Sequence, residues 1–161
     1  MIIATDARQP DPRPVAGPEG NATDLRFLEG AVASLEPIVV ACAAAAARSS
    51  RPEVRAVALA SLSALTDRLS AVSALLDDWG RAPVPPPRPS AADAPEWPQA
   101  EALDGDFLER LAAYTHASTA DARAEMVTGA SRSARLLAEL AIHADDHQLA
   151  VLRASAAAAP I

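Results

Sequence analysis

Few side chains in this sequence have the type and spacing to do chemistry. His116, His143 and His147 are its three histidines. His143 and His147 stand four apart, which on a helix puts them one turn apart on one face, a spacing able to hold a metal ion. Folding back around Gly129 brings His116 about level with His143, and Asp146 or Met126 could complete a copper or zinc ligand set. The carboxylates Glu29, Glu36, Glu109, Glu125 and Glu139 are scattered, and none forms the Glu-x-x-His pair of a di-iron site. Asp77-Asp78 and the Arg48/Arg51 turn read as solvated helix ends. The sequence has no Ser/His/Asp constellation, no glycine-rich phosphate loop and no Cys-x-x-Cys. Cys42 is the single cysteine and precludes an internal disulfide.

These residues sit on elements that the hydrophobic pattern defines. In Val54–Trp79, the residues Ala58, Leu62, Leu65, Leu69, Val72, Leu76 and Trp79 recur at steps of four and three, the seam of a helix packed along others. Pro52 opens this helix at a position where its missing N–H costs nothing, and Gly80 ends it. Before it, Leu28, Val32, Leu35, Val39, Cys42 and Ala46 repeat the spacing in a helix over 26–47, capped by Thr23 or Asp24. Pro37 inside that helix predicts a kink. A further helix is expected from Phe107 to about Val127, capped by Asp104 or Asp106, and a fourth from about Ser131 to Ala156. The resulting division is an arm over 1–22, predicted to be disordered, and a four-helix bundle over 23–156. Within the bundle, hairpins over 23–80 and 104–156 flank a Pro-rich crossover (81–103) that brings the second hairpin in parallel to the first, with Trp97 pinning it. A frayed tail covers 157–161.

Shifting the chain by 80 positions superposes the two hairpins without a gap. Phe27-Leu28-Glu29 falls on Phe107-Leu108-Glu109, Arg55 on Arg135, and Leu69 on Leu149. The fold is therefore a duplicated antiparallel helical hairpin with pseudo-twofold symmetry. Transferring the seam places Leu108, Ala112, Thr115, Thr119 and Ala122 inside on the third helix. On the fourth it selects Ala138, Ile142, Asp145, Leu149 and Leu152. Thr115 and Asp145 should then be bonded neighbours, with Tyr114 a second donor. Tyr114, Thr115, Asp145 and Gln148 together form a candidate small-ligand pocket. His143 and His147, about 200° of rotation away from Asp145, should face outwards.

The segments DLRFLEGAVASLEPIV, PEVRAVALASLSALTDRLSAVSALLDDWG, FLERLAAYTHAS and ARLLAELAIHADDHQLAVLR resemble the two halves of the domain-of-unknown-function 305 family. The resemblance covers about 23–80 and 104–155. It implies a ferritin-like four-helix bundle, a family often exported and in some members copper-binding. The family's His-His pairs fall on Ser34-Leu35 and Tyr114-Thr115. Its Gln, Glu and Met positions fall on Leu65, Arg68 and Val72, and again on Asp145, Gln148 and Leu152. Every metal-type ligand of that motif is replaced.

Composition bounds the function. Half the residues are apolar, largely alanine, and only 3 % are aromatic, which favours all-α over strands. A net charge of −7 offers no basic stripe for nucleic acid or an anionic membrane. No apolar run of about 20 residues escapes interruption by charge. The N-terminus lacks a signal-peptide pattern, so a cytoplasmic location is expected, or an exported one if the true start lies upstream. Two readings stay open. One is a non-enzymatic bundle without cofactor, a structural or interaction module with a protein partner or a second copy of itself. The other is a divergent copper- or zinc-binding protein using His116, His143, His147 and Asp146.

Overall fold

The computed structural model describes residues 20–81 and 100–157, and among them the secondary structure is four α-helices. These are α1 (Ala22–Arg48), α2 (Pro52–Asp78), α3 (Ala100–Thr128) and α4 (Arg132–Ala157). The 80-position shift carries Arg48 onto Thr128 and Pro52 onto Arg132, so the helix boundaries repeat the duplication read from the residues. The chain has the all-α four-helix bundle fold. The expected N-terminal arm, the crossover with Trp97 and the frayed tail lie almost entirely outside the described residues.

The helix ends depart from the sequence reading in instructive ways. The N-cap of α1 is Asn21, not Thr23 or Asp24. Its side chain accepts from the N–H groups of Thr23 and Asp24, and the Asp24 carboxylate accepts in return from the Asn21 N–H. That reciprocal arrangement uses three N–H donors that would otherwise lack partners. α3 starts at Ala100, so Asp104 and Asp106 lie inside a helix and cap nothing. α1 continues through Pro37, which is exposed. Gly80 is the residue at which α2 stops, with φ +70, a conformation open to glycine at little cost.

Each of α1 and α2 carries a seam almost where the spacing placed it. Leu28, Val32, Leu35, Val39 and Cys42 are buried on α1, and Ala58, Leu65, Leu69, Val72 and Leu76 on α2. Cys42 is a core hydrophobe whose thiol is pushed up to about 12 by burial. On α3 the transferred seam holds at Thr115, Thr119 and Ala122, which are buried, but is shifted by one position in the turns before them. Phe107 and Leu111 are fully buried, while Leu108 and Ala112 are only partly so. Alanine at 134, 138 and 141 lets α4 approach closely. Both α1 and α2 also contain stretches apolar and long enough to cross a membrane by length and composition, with a mean hydropathy of 1.8 in α1. Charge does interrupt such a stretch, as expected, but in Gly30–Ala47 the interruption is Glu36 alone. In the bundle these stretches supply the core face.

α1 packs on α2 and α3, and α4 packs on α3 and α2, leaving α2 and α3 on a diagonal. α1 begins beside the end of α3, where Asn21 Nδ2 donates to the Thr128 carbonyl at 3.0 Å. The second hairpin therefore lies antiparallel to the first, not parallel as expected. α2 ends at the end of the bundle where α1 begins, and α3 begins at the other, the connectivity of bundles with one long crossover.

The α3–α4 elbow is held from α1. Asp24 Oδ1 accepts from Ser131 N at 2.9 Å and Oδ2 from Ala130 N at 3.2 Å, so a residue of the first hairpin caps the start of α4. Beside it Glu125 is fully buried, with no conventional donor to either carboxyl oxygen. Burial first, and then the neighbouring Asp24, push Glu125 up to about 8. Burial acts on Asp24 in the same sense, but the Glu125 proton and the N–H groups of Asn21, Ser131 and Ala130 outweigh it and hold Asp24 below the usual range. Glu125 is thus the protonated partner of a carboxyl–carboxylate pair. Gly129 is required here because a Cβ would lie 2.7 Å from the Glu125 backbone oxygen.

The sign of the pH dependence follows from this pair. Glu125 gives its stabilisation in full below its ordinary value of 4.5 and loses it as pH rises towards about 8, because the native state holds a proton the unfolded chain releases. Thermal melts between pH 5 and pH 9 should show stability falling across that window. In Glu125→Gln, whose amide keeps a donor for Asp24, the fall should be much reduced.

Candidate functional site

The duplication pairs Leu65 with Asp145 and Arg68 with Gln148. Because α2 and α4 run antiparallel, those positions face one another: Ser61 Oγ donates to Gln148 Oε1 at 3.0 Å, and Arg68 donates to Asp145. Arg68 Nη1 lies 3.0 Å from Asp145 Oδ1, and Nη2 donates to Ser118 Oγ at 2.8 Å. Ser118 Oγ in turn donates to Asp145 Oδ2 at 2.6 Å, and Thr119 Oγ1 approaches the same oxygen at 3.4 Å. The guanidinium therefore crosses the diagonal of the bundle and ties α2 to both helices of the other hairpin. Asp145 is 3 % exposed. Burial pushes its carboxyl above the ordinary range, while Arg68 and the Ser118 and Thr119 hydroxyls pull the other way.

Several sequence-predicted residues meet here, though not in the expected bonds. Thr115 is buried and lines the same cavity as Asp145, but its hydroxyl donates to the Leu111 carbonyl at 2.7 Å. A threonine within a helix has that carbonyl one turn back always in reach, and Ser118 supplies the short bond to Asp145 instead. Tyr114 is half-buried against the same cavity, and burial pushes its phenol up to about 12. Gln148 completes the set. Arg68 and Ser118 are the residues that sequence reasoning missed as partners. The signal was an arginine flanking a leucine seam, meaningful only once the antiparallel stacking of the hairpins is known.

Around this cluster is a cavity of about 280 Å³ between α2, α3 and α4. Its polar residues are Arg68, Asp145, Tyr114, Thr115, Gln148 and, at the rim, Asp67. Its other walls are alanine and leucine.

The positions to which the resemblance assigns metal ligands do not fit a metal. Leu35, Leu65, Val72 and Leu152 bring no donor, and Arg68 brings a positive charge. The Asp145 oxygens are spent on Arg68, Ser118 and Thr119. His116, His143 and His147 are exposed, as is Asp146. Met126 is partly buried against the core. Among the described residues no three His, Cys, Asp or Glu side chains gather into a metal-holding group.

No family model matches the sequence, and no curated protein matches it. Among solved structures, the crystal structure of a DUF305 fragment from Deinococcus radiodurans superposes with a TM-score of 0.73. It is 17 % identical and the match covers 86 % of this chain and 97 % of that one. The resemblance carried by the two hairpins thus holds at the level of the fold.

Asp145 is so fully bonded that desolvation does not make it dispensable. Asp145→Leu should destabilise the bundle by about 3 kcal/mol, because it leaves the largely buried Arg68 without a counter-charge. Denaturant unfolding followed by circular dichroism checks this, and a neutral or stabilising result would remove the ion pair from the account.

Proposed function

We propose that the chain is a non-enzymatic, metal-independent helical bundle acting as a structural or interaction module. The observation that carries this reading is Arg68. A cation stands where the resemblance would place a ligand, and it neutralises Asp145, the one carboxylate among those positions. Leucine and valine at 35, 65, 72 and 152 support it further, since each contributes roughly 1.5–3 kcal/mol by burial, which a hydrated ligand would not. An interaction role is supported by exposed apolar side chains on α2 and α4, Leu59, Leu136 and Leu140, each more than half accessible.

The competing reading, copper or zinc held by His143 and His147 with His116 or Asp146, keeps one point in its favour: the pair stands one turn apart and open to solvent. Differential scanning calorimetry with stoichiometric copper or zinc separates the two. A site binding at 100 times its Kd would add about 2.7 kcal/mol, several degrees in Tm for a chain of this size. The proposed function predicts an unchanged Tm. A stoichiometric rise that disappears in the His143→Ala/His147→Ala double variant would establish the metal reading in its place.

A further inference from the structure

We infer that the cavity between α2, α3 and α4 is a binding site for a small uncharged molecule, a hydrocarbon of about two fused rings bearing a single hydroxyl. This names the occupant of the interaction module proposed above and rests on that reading. The cavity exists because the two helices that face each other across it carry alanine where leucine would fill the space: Ala64 and Ala71 on α2, Ala141 and Ala144 on α4. Leu65, Leu111 and Leu137 close the interior wall, and exposed Leu140 stands at the mouth.

Size sets the first limit on the ligand. The cavity holds about 280 Å³. A dry apolar cavity of about 150 Å³ in another protein takes benzene. The space here suits a ligand of about 10–12 non-hydrogen atoms by that scale.

Charge sets the second. Arg68 and Asp145 cancel each other at 3.0 Å, and both Asp145 oxygens already accept hydrogen bonds. A cationic ligand would lose its water without finding a free carboxylate in the interior, since Asp67 stands at the exposed rim. An anionic one would meet Asp145 inside and Asp67 at the rim, facing a guanidinium whose charge Asp145 already balances.

Hydrogen bonding sets the third. Gln148 uses Oε1 on Ser61 and leaves its amide N–H groups free, and Thr115 donates to Leu111 while its oxygen can still accept. A hydroxyl both accepts and donates, so one such group on the ligand can serve either residue. More polar groups would be stranded against the leucine wall.

The test uses the full-length chain and 2-naphthol, an uncharged two-ring phenol, with 2-naphthalenesulfonate as the anionic control. Calorimetric titration should give one saturable site with a Kd of about 10–100 µM, in line with the efficiency of small ligands. The sulfonate should bind at least about tenfold more weakly, since one uncompensated buried charge exceeds 1.4 kcal/mol. Ala141→Phe, which puts a ring into the cavity, should abolish binding while the protein still melts cooperatively. Should that variant fail to fold, Ala144→Phe at the exposed mouth makes the same test. The inference is overturned if 2-naphthol shows no saturable binding to the unmodified protein up to about 1 mM, a range that leaves room above the expected Kd. It is overturned equally if a folded variant binds as well as the unmodified protein, or if the sulfonate binds equally well. None of these outcomes bears on the metal titration, so the two readings fail separately.

Discussion

The bundle is organised around one charged contact, the guanidinium of Arg68 against the carboxylate of Asp145. A charge pair this deep needs further hydrogen bonds to be stable, and Ser118 and Thr119 supply them from the third helix. The pair also sets register. Sliding α2 along α4 by one turn would separate the two buried charges, so the pair favours one alignment of the hairpins. The same antiparallel stacking places Asp24 under the start of α4, where it accepts from Ala130 and Ser131 beside the local cap that Ser131 Oγ makes on Ala134 N.

Duplication explains why the contact is asymmetric. The positions related by the 80-residue shift are Leu65 to Asp145 and Arg68 to Gln148, so the twofold-related contact would join Leu65 to Gln148 and carries no charge. One copy has become greasy at these positions and the other polar, and the arginine of the first serves the aspartate of the second. The cavity sits on this asymmetric side of the bundle. Its volume follows from alanine on both facing helices, and its polarity from the only ionised groups in its interior.

Much of this was legible in the residues. The four-three spacing located both helices of the first hairpin to within a few positions, and the repeat transferred Asp145 and Thr115 into the interior of the second. What escaped had a common cause: it depended on contacts between hairpins. Helical periodicity reports which face of a helix is buried, not which residue on another helix meets it. Arg68 reads as a lost ligand until α4 is laid antiparallel beside α2. Glu125 reads as one of several scattered acids until Asp24 and Gly129 enclose it. The early start of α3 was missed because Asp104 and Asp106 look like caps, and the residues before them carry no strong periodic signal.

The central claim, that Arg68 and Asp145 act as one unit joining the two hairpins, is tested most directly by a double-mutant cycle of Arg68→Leu and Asp145→Leu, read by denaturant unfolding. The account predicts a coupling energy of about 2 kcal/mol or more, with the double variant more stable than the Asp145→Leu single, because removing both charges leaves neither stranded. Additive losses, with the double variant less stable than either single, would show that the two side chains do not depend on each other and would contradict the account.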